Sequence, residues 1–411
     1  MGTRPEVPMS KKETPLFPLR KGLHTRQAHV DLPAGTYEEE HARLGFYGRT
    51  THLYRLHPVT DWTRIEGPLR PHSYDLNQLL VADGTGLART DGGGAGVGAQ
   101  ARDPRMESSF RSSMFGSIEP SFAPICLLHN SDVALHWVAP SAMDFFYRNA
   151  DGDDVYYIHA GAGRLETTFG VLAYATGDYL GIPRGTTYRF LPSAGGQRYL
   201  LIESFSEVTI PDRNQLGPNA IFDPAMIDTP ELEPYDATSK EWAVHIKREN
   251  QITKVFYPFN PLDVVGWKGD LTVWRINVKD IRPILSARYH LPPSAHSTFI
   301  ANNFVICSFL PRPFEEEEGA MRVPFYHSNI DYDEVLFYSA GHFFSRDGIG
   351  PGMVTWHPQG IHHGPHPKAI PLSRGKERTD EVAVMVDAFR PLQATAAAGS
   401  VENLQYWASW K

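Results

Sequence analysis

Short runs of β-branched and aromatic residues recur along the chain, and glycine and proline separate them. The clearest of these runs are DVYYIHAG, TVWRINV, FVICSFL, EVLFYSAG and AVMVDAF. Such runs, bounded by turn residues, are typical of β-strands. Amphipathic windows long enough for a helix are scarce, and the 35 glycines and 33 prolines supply turns between the runs. The pattern predicts a mostly β protein, built as a sandwich or a barrel.

Two stretches interrupt the pattern and suggest how the 411 residues are divided. Residues 83–103 are rich in glycine and alanine and have little to bury, so we expect a mobile loop. Their glycines do not follow a strand and open a helix, which argues against a phosphate-binding loop. Residues 211–242 are rich in proline and acidic residues. We predict that they connect an N-terminal β domain, residues 1–210, to a C-terminal domain, residues 243–411.

Charge and composition exclude several classes of protein. The net charge is −8, whereas nucleic-acid and membrane-surface binding need a basic face. No apolar run is long enough to span a bilayer, and the first residues show no secretory signal. Cys126 and Cys307 each stand alone in apolar surroundings, which indicates buried free thiols in a reducing compartment. We therefore expect a cytoplasmic protein.

Imidazole is concentrated near the C-terminus. Of the 18 histidines, six lie between residues 325 and 367. Within this stretch Asn329 and Glu334 closely follow His327, and glycine and proline turns at fixed intervals separate Glu334 from His363. The spacing resembles the two-part cupin signature, in which a hairpin carries histidine and glutamate and a later strand brings another histidine. Many cupins have a further histidine where Asn329 stands. The pattern predicts a metal site.

The same spacing of turns occurs earlier in the chain, without the metal ligands. The positions that correspond to the ligands hold Tyr147, Asn149, Asp154 and Tyr188. A repeat that keeps the glycines and loses the ligands indicates that the turns serve the fold. We therefore predict a duplicated cupin architecture, a double-stranded β-helix or jelly roll, with a degenerate N-terminal barrel and a metal-binding C-terminal barrel.

The chemistry of the predicted ligands limits the choice of metal. Two imidazoles and one carboxylate form a facial triad that leaves coordination positions open on the other side. Fe(II) in such a site can hold an aromatic substrate and O2 side by side, and Mn(II) suits the same ligands. His362 is adjacent to His363 and should point to the other side of the strand. We assign His362, His342 and His366 no role at the metal.

Residues 263–392 resemble the homogentisate 1,2-dioxygenase family, especially its shorter bacterial members. The matching stretches are DVVGWKGDL, HLPPSAHSTFIANNFVICSFLPRPF, PFYHSNIDYDEVLFY, HPQGIHHGPHP and AVMVDAFRPL. The resemblance implies an Fe(II) enzyme that opens the ring of homogentisate with O2 to give maleylacetoacetate, in tyrosine and phenylalanine catabolism. It also implies His327, Glu334 and His363 as iron ligands and His357 as a second active-site histidine. We expect a homo-oligomer.

The chain departs from this family at two places. Trp267 and Lys268 stand where well-known members have a histidine proposed as the acid/base, and Phe343 replaces a substrate-binding tyrosine. His290 and His296 are our candidates for the missing acid/base group. The alternatives are a dioxygenase for a different aromatic substrate, a metal-dependent cupin isomerase that needs no O2, and a non-catalytic binding cupin. The intact His/Glu/His set argues against the last of these.

Overall fold

The structure is a computed structural model. It describes residues 19–45, 47–76, 79–82, 86–89, 119–193, 195–212, 220–343, 345–346, 348–368, 370–371 and 375–411. The loop predicted at residues 83–103 lies outside these ranges, apart from residues 86–89, which form a strand. Part of the predicted connection, residues 213–219, also lies outside them. Where the chain is described, strands dominate, so the predicted mostly β class is confirmed.

The strands that precede residue 280 are β1 Leu19–Gly22, β2 Tyr37–Ala42, β3 Thr50–Arg55, β4 Arg64–Glu66, β5 Leu79–Ala82, β6 Gly86–Arg89, β7 Ile125–His129, β8 Val133–Val138, β9 Phe146–Asn149, β10 Asp153–Ala160, β11 Ala162–Thr167, β12 Gly170–Ala175, β13 Asp178–Ile182, β14 Thr187–Pro192, β15 Arg198–Ser204, β16 Trp242–Arg248, β17 Gln251–Tyr257, β18 Val264–Gly269 and β19 Trp274–Asn277. The strands that follow are β20 Ser297–Ala301, β21 Phe304–Phe309, β22 His327–Ser328, β23 Asp333–Ala340, β24 Val354–His357, β25 His362–His363, β26 Val382–Ala388 and β27 Gln393–Ala394. The described helical segments include Pro224–Met226, Val278–Asp280, Pro293–His296, Ala396–Gly399 and Tyr406–Trp410. In the part of the chain that the structure describes, no helix has the length and apolar character needed to cross a bilayer.

Two seven-stranded sheets form the first barrel. Their strand orders are β19-β13-β10-β15-β8-β7-β27 and β12-β11-β14-β9-β16-β17-β4, and a four-stranded sheet, β1-β18-β3-β2, accompanies them. The second barrel has the sheet β20-β21-β26-β23-β24 and the short pair β22-β25. The domain limits predicted from the sequence stay a prediction. Strand pairing adds that β16 to β19, which follow the predicted connection, belong to sheets of the first half.

One of the seven-stranded sheets of the first barrel, the sheet that contains β10, packs face to face against the five-stranded sheet of the second barrel. One apolar cluster combines Tyr157 and Tyr179 of the first barrel with Phe299 and Val386 of the second. The hydroxyl of Tyr157 donates to Ser339 Oγ of the second barrel at 2.8 Å. Because β10 is covered on both faces, residues 153–158 along it are all buried, including the two aspartates that precede its apolar run VYYI.

The register of the strands confirms the predicted duplication. Glu334 of β23 lies opposite His357 on one side and Asp387 on the other. Asp154 of β10 lies in the same way between Ile182 and Glu203. His327 faces His363, and Tyr147 faces Tyr188. Each predicted ligand position of the second barrel therefore has a counterpart at the same place in the first.

The turns that follow β10 and β23 show why glycine was kept in both copies. Gly161 and Gly341 have φ values of +105° and +84°, where a side chain is strained. A Cβ on Gly341 would also collide with the backbone carbonyl of Asp380, and one on Gly161 would collide with the side chain of Gln197. The fold therefore requires these glycines whether or not a barrel holds a metal.

Candidate metal centre

Three elements bring His327, Glu334 and His363 together. The antiparallel pair β22–β25 places the two histidines opposite each other, and β23 supplies the glutamate. His327 Nε2 lies 3.3 Å from Glu334 Oε2, and His363 Nε2 lies 3.4 Å from Glu334 Oε1. One ligand atom from each residue lies within 4.8 Å of the other two. The side chain of His327 is 33% exposed and that of Glu334 is 8% exposed, so the cluster opens to solvent on the side of His327.

The donors of this cluster suit a divalent transition metal. Burial raises the pKa of Glu334, but hydrogen bonds with His327, His357 and His363 outweigh it and hold the pKa well below its usual range. The carboxylate is therefore ionised and can act as a ligand. Asn329 places its Nδ2 3.4 Å from His363 Nε2, while its Oδ1 is buried without a hydrogen-bond partner in the described part of the chain. An unsatisfied oxygen beside imidazole and carboxylate ligands fits a site that binds a metal together with water or substrate.

His357 lies directly behind the glutamate. Its Nδ1 is 2.8 Å from Glu334 Oε1, and its ring stacks on that of His363 at a centroid distance of 4.6 Å. Burial lowers the pKa of His357 to about 4, although Glu334 opposes this shift. The imidazole is thus neutral at neutral pH, with one nitrogen facing the glutamate and the other directed away from it.

The C-terminal segment Tyr406–Trp410 covers His357, which the sequence did not lead us to expect. The hydroxyl of Tyr406 lies 3.0 Å from His357 Nε2, and the ring of Trp410 packs edge-on against His357 and His366. Burial raises the pKa of Tyr406, so its phenol is protonated. The one sequence signal that the segment covers a histidine was its three aromatic residues in YWASW, residues 406–410.

A cation stands beside the cluster. Arg346 donates from NH1 to the carbonyl oxygen of Gly364 at 2.7 Å, and its Nε is buried without a hydrogen-bond partner among the described residues. Burial lowers the pKa of Arg346, but the nearby Tyr338, Tyr406 and Glu334 outweigh it and raise the pKa. The arginine therefore keeps a permanent positive charge close to the carboxylate of the cluster.

The two acid/base candidates have different surroundings. The ring of His290 is partly exposed and stacks on Phe325 at 4.1 Å, and Phe325 in turn lies 5.8 Å from the ring of His327. His296 is stacked on Phe309 at 4.6 Å, and burial lowers its pKa to about 3. His290 is thus separated from the cluster by one aromatic ring. The catalytic roles of both residues stay predictions.

At the three positions where the chain departs from the family that it resembles, the side chains contact other parts of the fold. Trp267 is buried and donates from its indole nitrogen to the carbonyl oxygen of Phe169 at 2.9 Å. Lys268 donates to Thr25 Oγ1 at 3.0 Å, within the four-stranded sheet of the first half. Phe343 is buried against Tyr338. These contacts bring neither Lys268 nor Phe343 to the cluster as a substitute for the family's histidine or tyrosine.

The first barrel holds a lysine where the second has its His/Glu/His cluster. Lys247 of β16 forms a buried ion pair with Glu203, and it lies 3.2 Å from Asp151 Oδ2. Asn149 donates to both Asp154 and Glu203, at 2.8 Å each, and the hydroxyl of Tyr188 donates to Asp154 at 2.7 Å. A buried ammonium ion therefore balances the carboxylates that remain in this barrel.

We expect Lys247→Met to destabilise the protein and leave its metal content unchanged. The substitution would leave Glu203 buried without its cation, and breaking a buried pair in this way costs about 3–5 kcal/mol. Denaturant unfolding and metal analysis measure the two effects. The double variant Glu203→Gln/Lys247→Met should recover part of the lost stability. Loss of metal from a folded Lys247→Met protein would show that the first barrel also contributes to metal binding.

A duplicated β-barrel with a His/Glu/His cluster in its second half is the class that fold and site define. The family model for the N-terminal part of homogentisate 1,2-dioxygenase matches residues 127–278. A Saccharolobus solfataricus protein provisionally named a dioxygenase is 36% identical over 293 residues, which cover 70% of this chain and 76% of that protein. The chain belongs to the homogentisate 1,2-dioxygenase family.

Curated relatives within the family are more distant. The homogentisate 1,2-dioxygenase of Rhodopseudomonas palustris is 25% identical over 66% of this chain and 63% of its own length. That of Rhizobium etli is 26% identical over 64% of this chain and 61% of its own length. The match thus spans less than two thirds of these two enzymes. Among solved structures, a cupin 2 barrel protein from Leptotrichia buccalis aligns over 67% of this chain and 91% of its own, with a TM-score of 0.30 and 11% identity.

Proposed function

We propose that the protein is an Fe(II)-dependent dioxygenase that uses O2 to open the ring of homogentisate or a related hydroquinone or catechol. The observation that carries the proposal is the convergence of His327, Glu334 and His363, with His357 behind the glutamate. Membership of a dioxygenase family supports the same conclusion. Mn(II) suits the same three ligands, so the identity of the metal belongs to the proposal.

The three ligands would hold the metal by one face and leave the other face open. Bound Fe(II) would supply the joint activation of O2 and an electron-rich ring, which side chains alone cannot provide. Both atoms of O2 enter the product when homogentisate is converted to maleylacetoacetate, so no external reductant is needed. The remaining tasks, to bind the substrate, move its phenolic proton and exclude water, fall to the residues around the cluster.

His357 and Tyr406 form the proposed proton path. The neutral imidazole can accept a proton at Nε2, the nitrogen that faces the Tyr406 hydroxyl at 3.0 Å. Its Nδ1 is held by Glu334, and this contact fixes the orientation of the ring. Tyr406 can take up the phenolic proton of the substrate while it passes its own proton to His357, so that no tyrosinate is left behind. Tyr406 and Trp410 together cover this side of the site and limit the access of water.

Arg346 is the proposed partner of the substrate's carboxylate. Its Nε lacks a hydrogen-bond partner among the described residues, and its charge lies near Glu334 and Tyr406. A guanidinium group binds a carboxylate well because its planar donors match the two oxygens. This arrangement favours a dihydroxy aromatic acid over an uncharged catechol.

Tyr406→Phe is expected to lower kcat/KM by about tenfold, the effect of losing one hydrogen bond worth roughly 1–1.5 kcal/mol. Iron content should not change, because the tyrosine contacts His357 and no ligand. Steady-state kinetics with homogentisate and metal analysis measure both quantities. Tyr289→Phe, at an exposed tyrosine, is the matched control. Unchanged kinetics in Tyr406→Phe would remove the tyrosine from the proposed path.

The main competing function is that of a metal-dependent cupin isomerase. It would use the same ligands, but it would form its product without O2. A panel of dihydroxy aromatic acids, tested with an oxygen electrode, separates the two functions because only a dioxygenase consumes O2 with the substrate. A protein that binds such compounds without converting them would be the binding cupin.

The proposal includes a cytoplasmic homo-oligomer. Ile330, Ile361 and Trp407 expose apolar side chains in segments that adjoin His327, His363 and Tyr406. Exposed apolar groups around a site are typical of surfaces that meet another subunit. Sedimentation of the purified protein measures the oligomeric state, and a monomer at micromolar concentration would contradict this part of the proposal.

A further inference from the structure

A second group of metal-binding side chains lies at the edge of the sheet β1-β18-β3-β2. It comprises His29, Glu38 and His52, and we call it the N-terminal cluster. His29 Nδ1 contacts Glu38 Oε1, and His52 Nδ1 lies 3.6 Å from the same oxygen. The two imidazole rings meet edge-on, with their centroids 5.1 Å apart. One ligand atom from each residue lies within 4.8 Å of the other two, as in the cluster of His327, Glu334 and His363.

The strand register explains how two of these residues meet. Residue His52 of β3 lies opposite Glu40 of β2, and Tyr54 lies opposite Glu38. Because side chains alternate between faces along a strand, Glu38 and His52 share a face as diagonal neighbours. His29 comes from the turn that precedes β2. Its φ of +62° is in the left-handed region, which non-glycine residues adopt at a cost, and its backbone amide donates to Glu38 Oε2 at 3.4 Å.

The atoms that face each other in this cluster are poorly satisfied. The side chain of Glu38 is only 7% exposed. Its Oε1 lies against the Nδ1 atoms of His29 and His52, yet this oxygen and the Nδ1 of His52 are buried and make no hydrogen bond of normal geometry in the part of the chain that the structure describes. Buried polar atoms without partners are costly, and they mark places where an ion or water belongs. A cation between the three side chains would satisfy both atoms at once.

We propose that the N-terminal cluster is a second metal site, which binds a divalent transition metal of the Zn²⁺ type through His29, Glu38 and His52. Two imidazole nitrogens and one carboxylate oxygen select such a metal over Mg²⁺ or Ca²⁺, which prefer oxygen ligands throughout. His29 is 62% exposed, so the fourth position is open to water. The site shares no residue with the proposed iron centre, and it stands whether or not that centre performs ring cleavage.

The charges around the N-terminal cluster lower its affinity for a divalent cation but do not abolish it. Lys268 is the neighbour of His52 on β18, and its ammonium group donates to Thr25 Oγ1 and to the Thr25 carbonyl oxygen. This cation weakens the binding of a second cation through repulsion. Glu40 lies opposite His52 and is exposed, so its carboxylate offsets part of that charge. The bound metal would join the turn at residue 29 to β2 and β3 and stabilise this sheet edge.

The test uses Zn²⁺ alone and a protein whose other site is disabled. In the Glu334→Ala background, equilibrium dialysis should show one Zn²⁺ per chain, and saturating Zn²⁺ should raise the Tm. His29→Ala and Glu38→Gln, each added to this background, should weaken Zn²⁺ binding by more than about 100-fold. Loss of a residue that only supports a ligand lowers metal affinity by about 10–100-fold, and loss of a ligand itself should lower it further. His72→Ala, at an exposed histidine outside both clusters, is the matched control and should bind Zn²⁺ unchanged.

Circular dichroism of each variant separates loss of a ligand from loss of the fold. His29 is the decisive position, since its exposed side chain can be removed without opening a cavity. The proposal is overturned if the Glu334→Ala protein binds no Zn²⁺. It is also overturned if a folded His29→Ala variant binds Zn²⁺ as tightly as its parent, because the ion would then be held elsewhere.

Discussion

Glu334→Ala is expected to lose its bound iron and its turnover together. The carboxylate is the only anionic ligand of the proposed site, and it contacts His327, His357 and His363. Its removal leaves two imidazole ligands, which carry no negative charge to offset that of Fe(II). Removal of a residue that only supports a ligand lowers metal affinity by about 10–100-fold, and removal of the ligand Glu334 should lower the affinity for Fe(II) by more than this. Metal analysis after anaerobic purification, together with assays at saturating Fe(II), measures both losses.

The first barrel provides a matched control for this substitution. Asp154 occupies the position of Glu334 in the duplicated fold, with Tyr188 and Asn149 as its donors. Burial raises the pKa of Asp154 to about 7, and Glu203 adds to this shift. Asp154→Asn removes the corresponding carboxylate from the first barrel and keeps the size of the side chain. This variant should keep its iron and its turnover. Full iron occupancy in Glu334→Ala would refute the assigned ligand set.

His357→Gln is expected to lower kcat by about 10²–10⁴, the usual contribution of a general acid or base. Glutamine keeps a polar group beside Glu334 and Tyr406 but cannot exchange a proton near neutral pH. Iron should still bind at saturating Fe(II), because His357 supports a ligand and is not assigned as one. Steady-state kinetics across pH, with iron measured in each sample, test the expectation.

His342→Gln is the control for this substitution, since His342 is exposed. The same assay on His290→Ala and His296→Ala decides between the three candidates for the acid/base group. If His357→Gln turns over normally while one of these variants is inactive and iron-loaded, the proton path through Tyr406 is wrong. In that case His290, which stacks on Phe325, or His296, which stacks on Phe309, is the acid/base group.

The sequence predicted the fold class and the duplication because both depend on local rules. Apolar runs bounded by turns indicate strands, and positive φ values require glycine at Gly161 and Gly341. Those turns fix the spacing between the strands of each barrel. The proximity of His327, Glu334 and His363 followed from the same spacing, since a hairpin and the next strand of a cupin barrel face one another.

The remaining features depend on contacts between distant parts of the chain. Tyr406 meets His357 across 49 residues, and no periodic pattern links them. Lys247 reaches Glu203 from β16, a strand whose position in the chain predicts that it belongs to the C-terminal domain. Glu38 and His52 are diagonal neighbours only because of the register of β2 and β3. Such pairings are set by tertiary packing, which the order of apolar and polar residues does not specify.

Iron held by His327, Glu334 and His363 is proposed to support ring cleavage by O2. The most direct measurement follows the anaerobically purified, Fe(II)-loaded protein after it is mixed with homogentisate and isotopically labelled O2. We expect consumption of one O2 per ring opened and incorporation of both labelled oxygen atoms into the product. Product formed without O2 consumption, or no conversion of homogentisate and related dihydroxy aromatic acids by the iron-loaded protein, would contradict the proposed function.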